Sequence, residues 1–220
     1  MASNLQEQTL QVQSIAPKFG VNYNRGYVGF TYNNNLLVCK GIAYFTRWAK
    51  MSDIYATHVL IVTGEDSCIE ANAFKNQVES APLKHYFDDP YCQIFFRKPK
   101  GLTDGIADRI IQVLEPEVGA RYDFGSIFVH ALSGMFLGYL LNRLLRGVPK
   151  EQIGKILTDP KKWICSELVA YGLDKQPEYK NQGILKSLNA TISPQALFED
   201  EVIFEPWDHK EYSNNETSCS

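Results

Sequence analysis

Two β-type runs, Thr57 to Thr63 and Ser67 to Ala73, are separated only by Gly64-Glu65-Asp66. So short and turn-rich a connection predicts an antiparallel hairpin. Its register then decides what each side chain can meet. If residues 60 and 70 face each other, 58 faces 72, and His58 and Glu70 become diagonal neighbours on one face. A slip of one residue would send Glu70 to the opposite face.

Other segments can be read by period and punctuation. Leu36 to Ile42 follows Asn33-Asn34-Asn35 and reads as a strand, and Ala43 to Lys50 reads as a helix. Cys92 to Arg97 is a further strand, ended by Lys98-Pro99-Lys100-Gly101. Ile106, Ile110, Ile111 and Leu114 recur at helical spacing behind Thr103 and Asp104, either of which can cap the start. Ser193-Pro194 opens another helix with proline at its first position, and Val202-Ile203-Phe204 reads as a last strand. Together these elements predict an α+β fold, a small antiparallel β-sheet packed against helices. The expected division is an N-terminal extension over 1–20, a domain over 21–208 with an apolar helical insertion at about 125–160, and a disordered tail over 209–220.

Composition narrows the function classes. With 220 residues, 45% of them hydrophobic, the chain can bury a sizeable core without staples. A formal net charge of -3 offers nucleic acid no concentrated basic surface. Five cysteines, an odd number with no CxxC pair, suit a reducing compartment. The polar, Gln-rich start shows no basic region leading into an apolar run, so the expected location is cytoplasmic. The four histidines and the cysteines show no zinc spacing; neither a metal nor another cofactor is expected.

Chemistry concentrates around Cys165. The segment Trp163-Ile164-Cys165-Ser166-Glu167-Leu168-Val169 reads as a strand or loop end turning into an apolar helix. A cysteine at a helix start meets unpaired backbone N–H groups and the positive end of the dipole, surroundings that suit a nucleophilic sulfur. His58 supplies a base and Glu70 a carboxylate to orient it. A thiol, an imidazole and a carboxylate are the parts of a cysteine hydrolase that works through an acyl-enzyme. Each also has a plainer role, as a small core residue, a strand histidine or a solvated acid. Cys39, Cys68 and Cys92 lie in strand-like apolar runs and are read as core residues.

The arrangement resembles the circularly permuted branch of the papain-like NlpC-type cysteine hydrolases, the YiiX/YaeF-like proteins. In that branch a histidine strand and an acidic residue precede a Cys-Ser-Glu-Leu-Val helix. The chain carries Thr57-His58-Val59, Ile69-Glu70-Ala71 and Cys165-Ser166-Glu167-Leu168-Val169 in that order. Tyr122-Asp123-Phe124 is similar to the Tyr-Asp element ahead of the family's cysteine. The resemblance covers roughly residues 36–205. It implies a permuted papain-like architecture, catalysis by Cys165, His58 and Glu70, and a substrate-lining position for Tyr122. The substrates it implies are peptides, amides or lipid acyl groups.

One stretch departs from the pattern. Phe124 to Asn142 carries no formal charge and includes Phe128, Phe136 and Leu140. A membrane span there would put Tyr122 and Cys165 on opposite sides of a bilayer, against a shared site. The remaining readings of 125–145 are a buried helix or helical pair, an apolar cap, a dimer surface, or a peripheral membrane contact. An apolar cap would suit a lipid-directed acyl hydrolase or acyltransferase. A second class of function is a non-catalytic protein that keeps the fold and binds a membrane or partner. A serine hydrolase built on Ser133 and His130 is disfavoured, because Ala131-Leu132-Ser133-Gly134-Met135 lacks the GxSxG elbow.

Overall fold

The structure is a computed structural model that describes residues 17–33, 55–123, 162–187, 189 and 192–206. The expectations for 36–50, 125–160 and 209–220 lie outside the described residues.

Seven strands form one mixed, mostly antiparallel sheet: β1 (Val28–Asn33), β2 (His58–Gly64), β3 (Ser67–Asn72), β4 (Gln77–Ala81), β5 (Cys92–Arg97), β6 (Arg121–Tyr122) and β7 (Lys162–Trp163). Their order across the sheet is β5-β1-β2-β3-β4-β6-β7, and only the β6–β7 pair is parallel. Among the described residues four α-helices accompany them: α1 (Lys84–Phe87), α2 (Asp104–Leu114), α3 (Cys165–Asp174) and α4 (Pro194–Phe198). The class is α+β.

The hairpin of β2 and β3 forms, in the register that sets residue 60 opposite 70 rather than the one slipped by a residue. Ile61 lies opposite Ile69 and Val62 opposite Cys68, with an irregularity between Val62 and Gly64. Val59, Leu60, Ile61 and Val62 are all fully buried, because both faces of β2 are covered. Val59 and Ile61 join Ile69, Ala71 and the apolar faces of α2 and α3 in the larger core. Leu60 and Val62 point the other way and pack with Tyr23, Cys68, Leu83 and Phe96.

Local chemistry explains the helix ends. Thr103 caps α2, its hydroxyl accepting from the Ile106 N–H at 3.3 Å. Ser193 caps α4 in the same way, accepting from the Ala196 N–H at 3.1 Å, with Pro194 in the first turn. In α3, Leu168, Val169 and Leu173 are fully buried, and the helix packs on β2 and β3.

The last predicted strand does not form. Asp200 Oδ1 accepts from the N–H groups of Val202 and Ile203 at 2.8 and 2.7 Å, taking donors that a ladder would have used. The chain turns there and makes a single bridge, Pro99 to Phe204. Buried Arg97 fastens this segment to β5 by donating to the carbonyls of Phe198 and Glu205, between the rings of Phe198 and Phe204. Three strands have no counterpart in the sequence reading: β4 offers only Val78 and Ala81, β6 is two residues long, and β1 alternates Val28, Phe30 and Tyr32 with Gly29, Thr31 and Asn33, a period that reading passed over.

Glycines near the sheet differ sharply in what they tolerate. Gly26 has φ +77°, and a Cβ there would sit 2.7 Å from that of Ala107 and 3.1 Å from its Cα. Gly26→Ala should therefore destabilise the protein by about 1–3 kcal/mol, strain adding to the clash. Gly105, in the first turn of α2, has open space and an ordinary φ. Gly105→Ala should stabilise by about 0.5–1 kcal/mol. Urea unfolding of the two variants, read at constant slope, checks both signs.

Candidate functional site

His58 begins β2, and its Nε2 lies 2.5 Å from Glu70 Oε2. The β2–β3 register puts both side chains on one face, and the pair is buried unevenly: 20% of the His58 side chain remains exposed but only 2% of Glu70. Cys165 is the first residue of α3, and its sulfur is hydrogen-bonded with the His58 ring. Sulfur, imidazole and carboxylate thus come together, with the ring touching both of the others.

Burial alone would push His58 down. Its partners on either side, Cys165 and Glu70, more than reverse this and hold its proton affinity well above the usual imidazole range. Burial would likewise raise Glu70, but His58, Tyr86 and Asn72 together hold it below the ordinary carboxylate value.

The start of α3 is prepared for an anion by what it lacks. Its N-cap, Ile164, is extended and has no side-chain oxygen to capture the first N–H groups. Glu167, three residues on, reaches back to the Ile164 N–H. Its Oε2 is buried with no hydrogen-bond partner among the described residues, as is the Ser166 hydroxyl. Burial raises Glu167 to about 7; the Ile164 N–H opposes this and nearby Asp123 adds to it.

Tyr122 reaches the same sulfur from β6. It pairs with Trp163 across the parallel β6–β7 contact, one strand-end away from Cys165. Its buried hydroxyl is hydrogen-bonded with Cys165; burial first, then the charge of Cys165, pushes the phenol well above its ordinary range. All four residues singled out in the sequence, His58, Glu70, Tyr122 and Cys165, therefore come together in space.

Several residues around them gave no sequence signal. Tyr86, on α1, donates its hydroxyl to Glu70 Oε2, the oxygen already held by His58. Its ring lies 6.1 Å from that of His58 and nearly parallel to it. Asn72 Nδ2 reaches Glu70 Oε1 at 3.4 Å and Glu79 Oε1 at 2.8 Å. Glu79 faces Glu70 directly across β3 and β4, a like-charge pair that Asn72 bridges. Lys75 adds a 2.8 Å ion pair to Glu79. Period-2 spacing places Asn72 on the Glu70 face and could have flagged it. Tyr86 arrives through a separate helix, which no spacing rule predicts.

The other described cysteines are placed differently. Cys68 is fully buried, its thiol 3.4 Å from the Ala81 carbonyl, and burial raises it well above the usual thiol range. Cys92 is partly exposed at the start of β5. Among the described residues no group of three His, Cys, Asp or Glu side chains is arranged to hold a metal ion. Among them, too, no helix is long and apolar enough to cross a membrane.

Comparison with protein-family models and with curated proteins finds no match.

Two stability signatures follow from the charges. The folded-state affinity of His58 exceeds its unfolded value near 6.5. Its contribution is therefore complete below that pH and is lost as pH rises through the folded value. For Glu167 the folded value of about 7 exceeds the ordinary 4.5, so the folded state binds the extra proton and stability falls between about pH 4.5 and 7. Glu167→Gln keeps the acceptor for Ile164 and removes this titration. Denaturant midpoints of the variant should vary less with pH across that window than those of the unchanged protein.

Proposed function

We propose that the protein is a cysteine-dependent hydrolase with a permuted papain-like, NlpC-type architecture, acting on amide or ester bonds through an acyl-enzyme on Cys165. The observation that carries the reading is the line from the Cys165 sulfur through the His58 ring to the Glu70 carboxylate. The chain order, histidine strand and acid before the cysteine helix, supports the permuted form.

The chemistry follows from these positions. His58 takes the thiol proton, and the sulfur attacks the acyl carbon. Uncapped N–H groups at the start of α3 face the oxyanion that develops beside the sulfur. The C–N or C–O bond then breaks as His58 returns the proton to the leaving group, and an acyl thioester remains on Cys165. Water, deprotonated by the same imidazole, attacks the thioester; the acid leaves and the thiol is restored. Glu70 keeps the ring aligned and stabilises its cation through both steps. Tyr122 lines the acyl position by its contact with the sulfur.

A binding protein on the same fold would have no use for this alignment, and thiol reactivity separates the two. Iodoacetamide at neutral pH should label Cys165 before Cys68 and Cys92, as read by peptide mass mapping. His58→Ala should slow that labelling by about 10²-fold, the lower range for loss of a positioned base. Cys165→Ala should abolish turnover of activated esters and anilides. Equal labelling of the cysteines in the native protein would exclude the hydrolase.

A further inference from the structure

Glu70 is held by more than its contact with His58. The main-chain N–H of Lys84, at the start of α1, donates to Asp66 Oδ1 at 2.7 Å. Asp66 belongs to the β2–β3 turn, so the same hairpin that aligns His58 with Glu70 also docks the helix carrying Tyr86. α1 has only four residues, and Leu83 at its N-cap makes no side-chain hydrogen bond. A helix this short has little stability of its own; the Asp66 contact and packing of Tyr86 and Phe87 against the second core hold it in place.

We propose that Tyr86 is a positioning residue for His58: by donating to the carboxylate oxygen that His58 also holds, it keeps Glu70 an ionised acceptor and fixes the direction of the imidazole. The inference rests on the hydrolase reading and assigns that site a fifth functional side chain. Two donors on one oxygen, with Asn72 on the other, leave the carboxylate a single orientation. The charge surroundings of Glu70 are otherwise mixed. His58 faces it from β2 and Glu79 from β4, Cys68 is on its own strand, and Lys75 acts from the turn. Beyond His58 lies Cys165 on α3, and Cys92 of β5 bears on Tyr86. Tyr86 is the one described group that donates to the shared oxygen without carrying charge.

The test is Tyr86→Phe in the full chain, which keeps the ring and removes the donor. The Glu70 carboxyl is followed by ¹³C NMR across pH, and Cys165 alkylation by iodoacetamide is measured over the same range. The Glu70 midpoint should move to higher pH. The acid limb of the alkylation profile should move with it, so that the rate on that limb falls about tenfold, the loss of one hydrogen bond to a charged group, while the alkaline plateau stays unchanged. A purely structural tyrosine would lower thermal stability and leave the Glu70 midpoint where it was, and that result overturns the proposal. If the variant does not fold, fluorotyrosine placed at position 86 keeps the hydroxyl and strengthens the donor. The Glu70 midpoint should then fall, and an unmoved midpoint overturns the proposal. Because the carboxyl titration does not depend on thiol reactivity, failure of the hydrolase reading would appear separately, as absence of preferential Cys165 labelling in the unchanged protein.

Discussion

A carboxylate with 2% of its surface exposed stays ionised only when its surroundings donate to it. Glu70 has the His58 imidazole and a phenol on one oxygen and an amide on the other. Each donor comes from a different place: His58 from β2, Tyr86 from α1, Asn72 from two residues along its own strand. The need to satisfy one buried charge therefore ties together a hairpin, a short helix and a turn. Asn72 serves the turn as well, because its Oδ1 accepts from the N–H groups of Phe74 and Lys75 at 2.9 and 3.2 Å. Its amide group thereby faces the acids while its carbonyl folds the chain.

The same dependence links the site to the core. α3 buries Leu168, Val169 and Leu173 against the β2 and β3 side chains that point away from His58. Burial of those side chains, about 1.5–3 kcal/mol for each large one, sets the height of the helix over the sheet. Cys165 sits at the end of the helix that those contacts position. Gly172 contributes at the other end, where an added Cβ would come 3.1 Å from Leu114 of α2. Packing far from the sulfur thus governs its distance from the ring.

Much of this was legible in the sequence where local rules apply. The three-residue connection predicted the β2–β3 hairpin, and of the two registers weighed the one that forms brings His58 and Glu70 together. The caps at Thr103 and Ser193 and the helical spacing of Ile106, Ile110 and Leu114 gave α2 and α4. The limits have physical causes. β4 owes its existence to neighbours on both sides, since Gln77, Glu79 and Ser80 give it little intrinsic preference, whereas β1, with Val28, Phe30 and Tyr32 at alternate positions, carries a period that could have been read. Val202 to Phe204 has the composition of a strand, but Asp200 takes its donors. Tyr86 could not be seen because its place depends on Asp66, a contact between a turn and a helix that sequence spacing does not encode. The contact between Cys165 and His58 is of the same kind, and only chain order and residue type hinted at it.

The parallel clasp of β6 and β7 joins Arg121 to Lys162 and Tyr122 to Trp163, so the polypeptide departs and returns at adjoining points. Tyr122 and Cys165 are thereby registered to each other by two residue pairs rather than by whatever is threaded between them. Sequence can be lengthened, shortened or exchanged in that interval while phenol and sulfur keep their spacing. The placing of phenol against sulfur is in that sense insulated from the length of the intervening sequence.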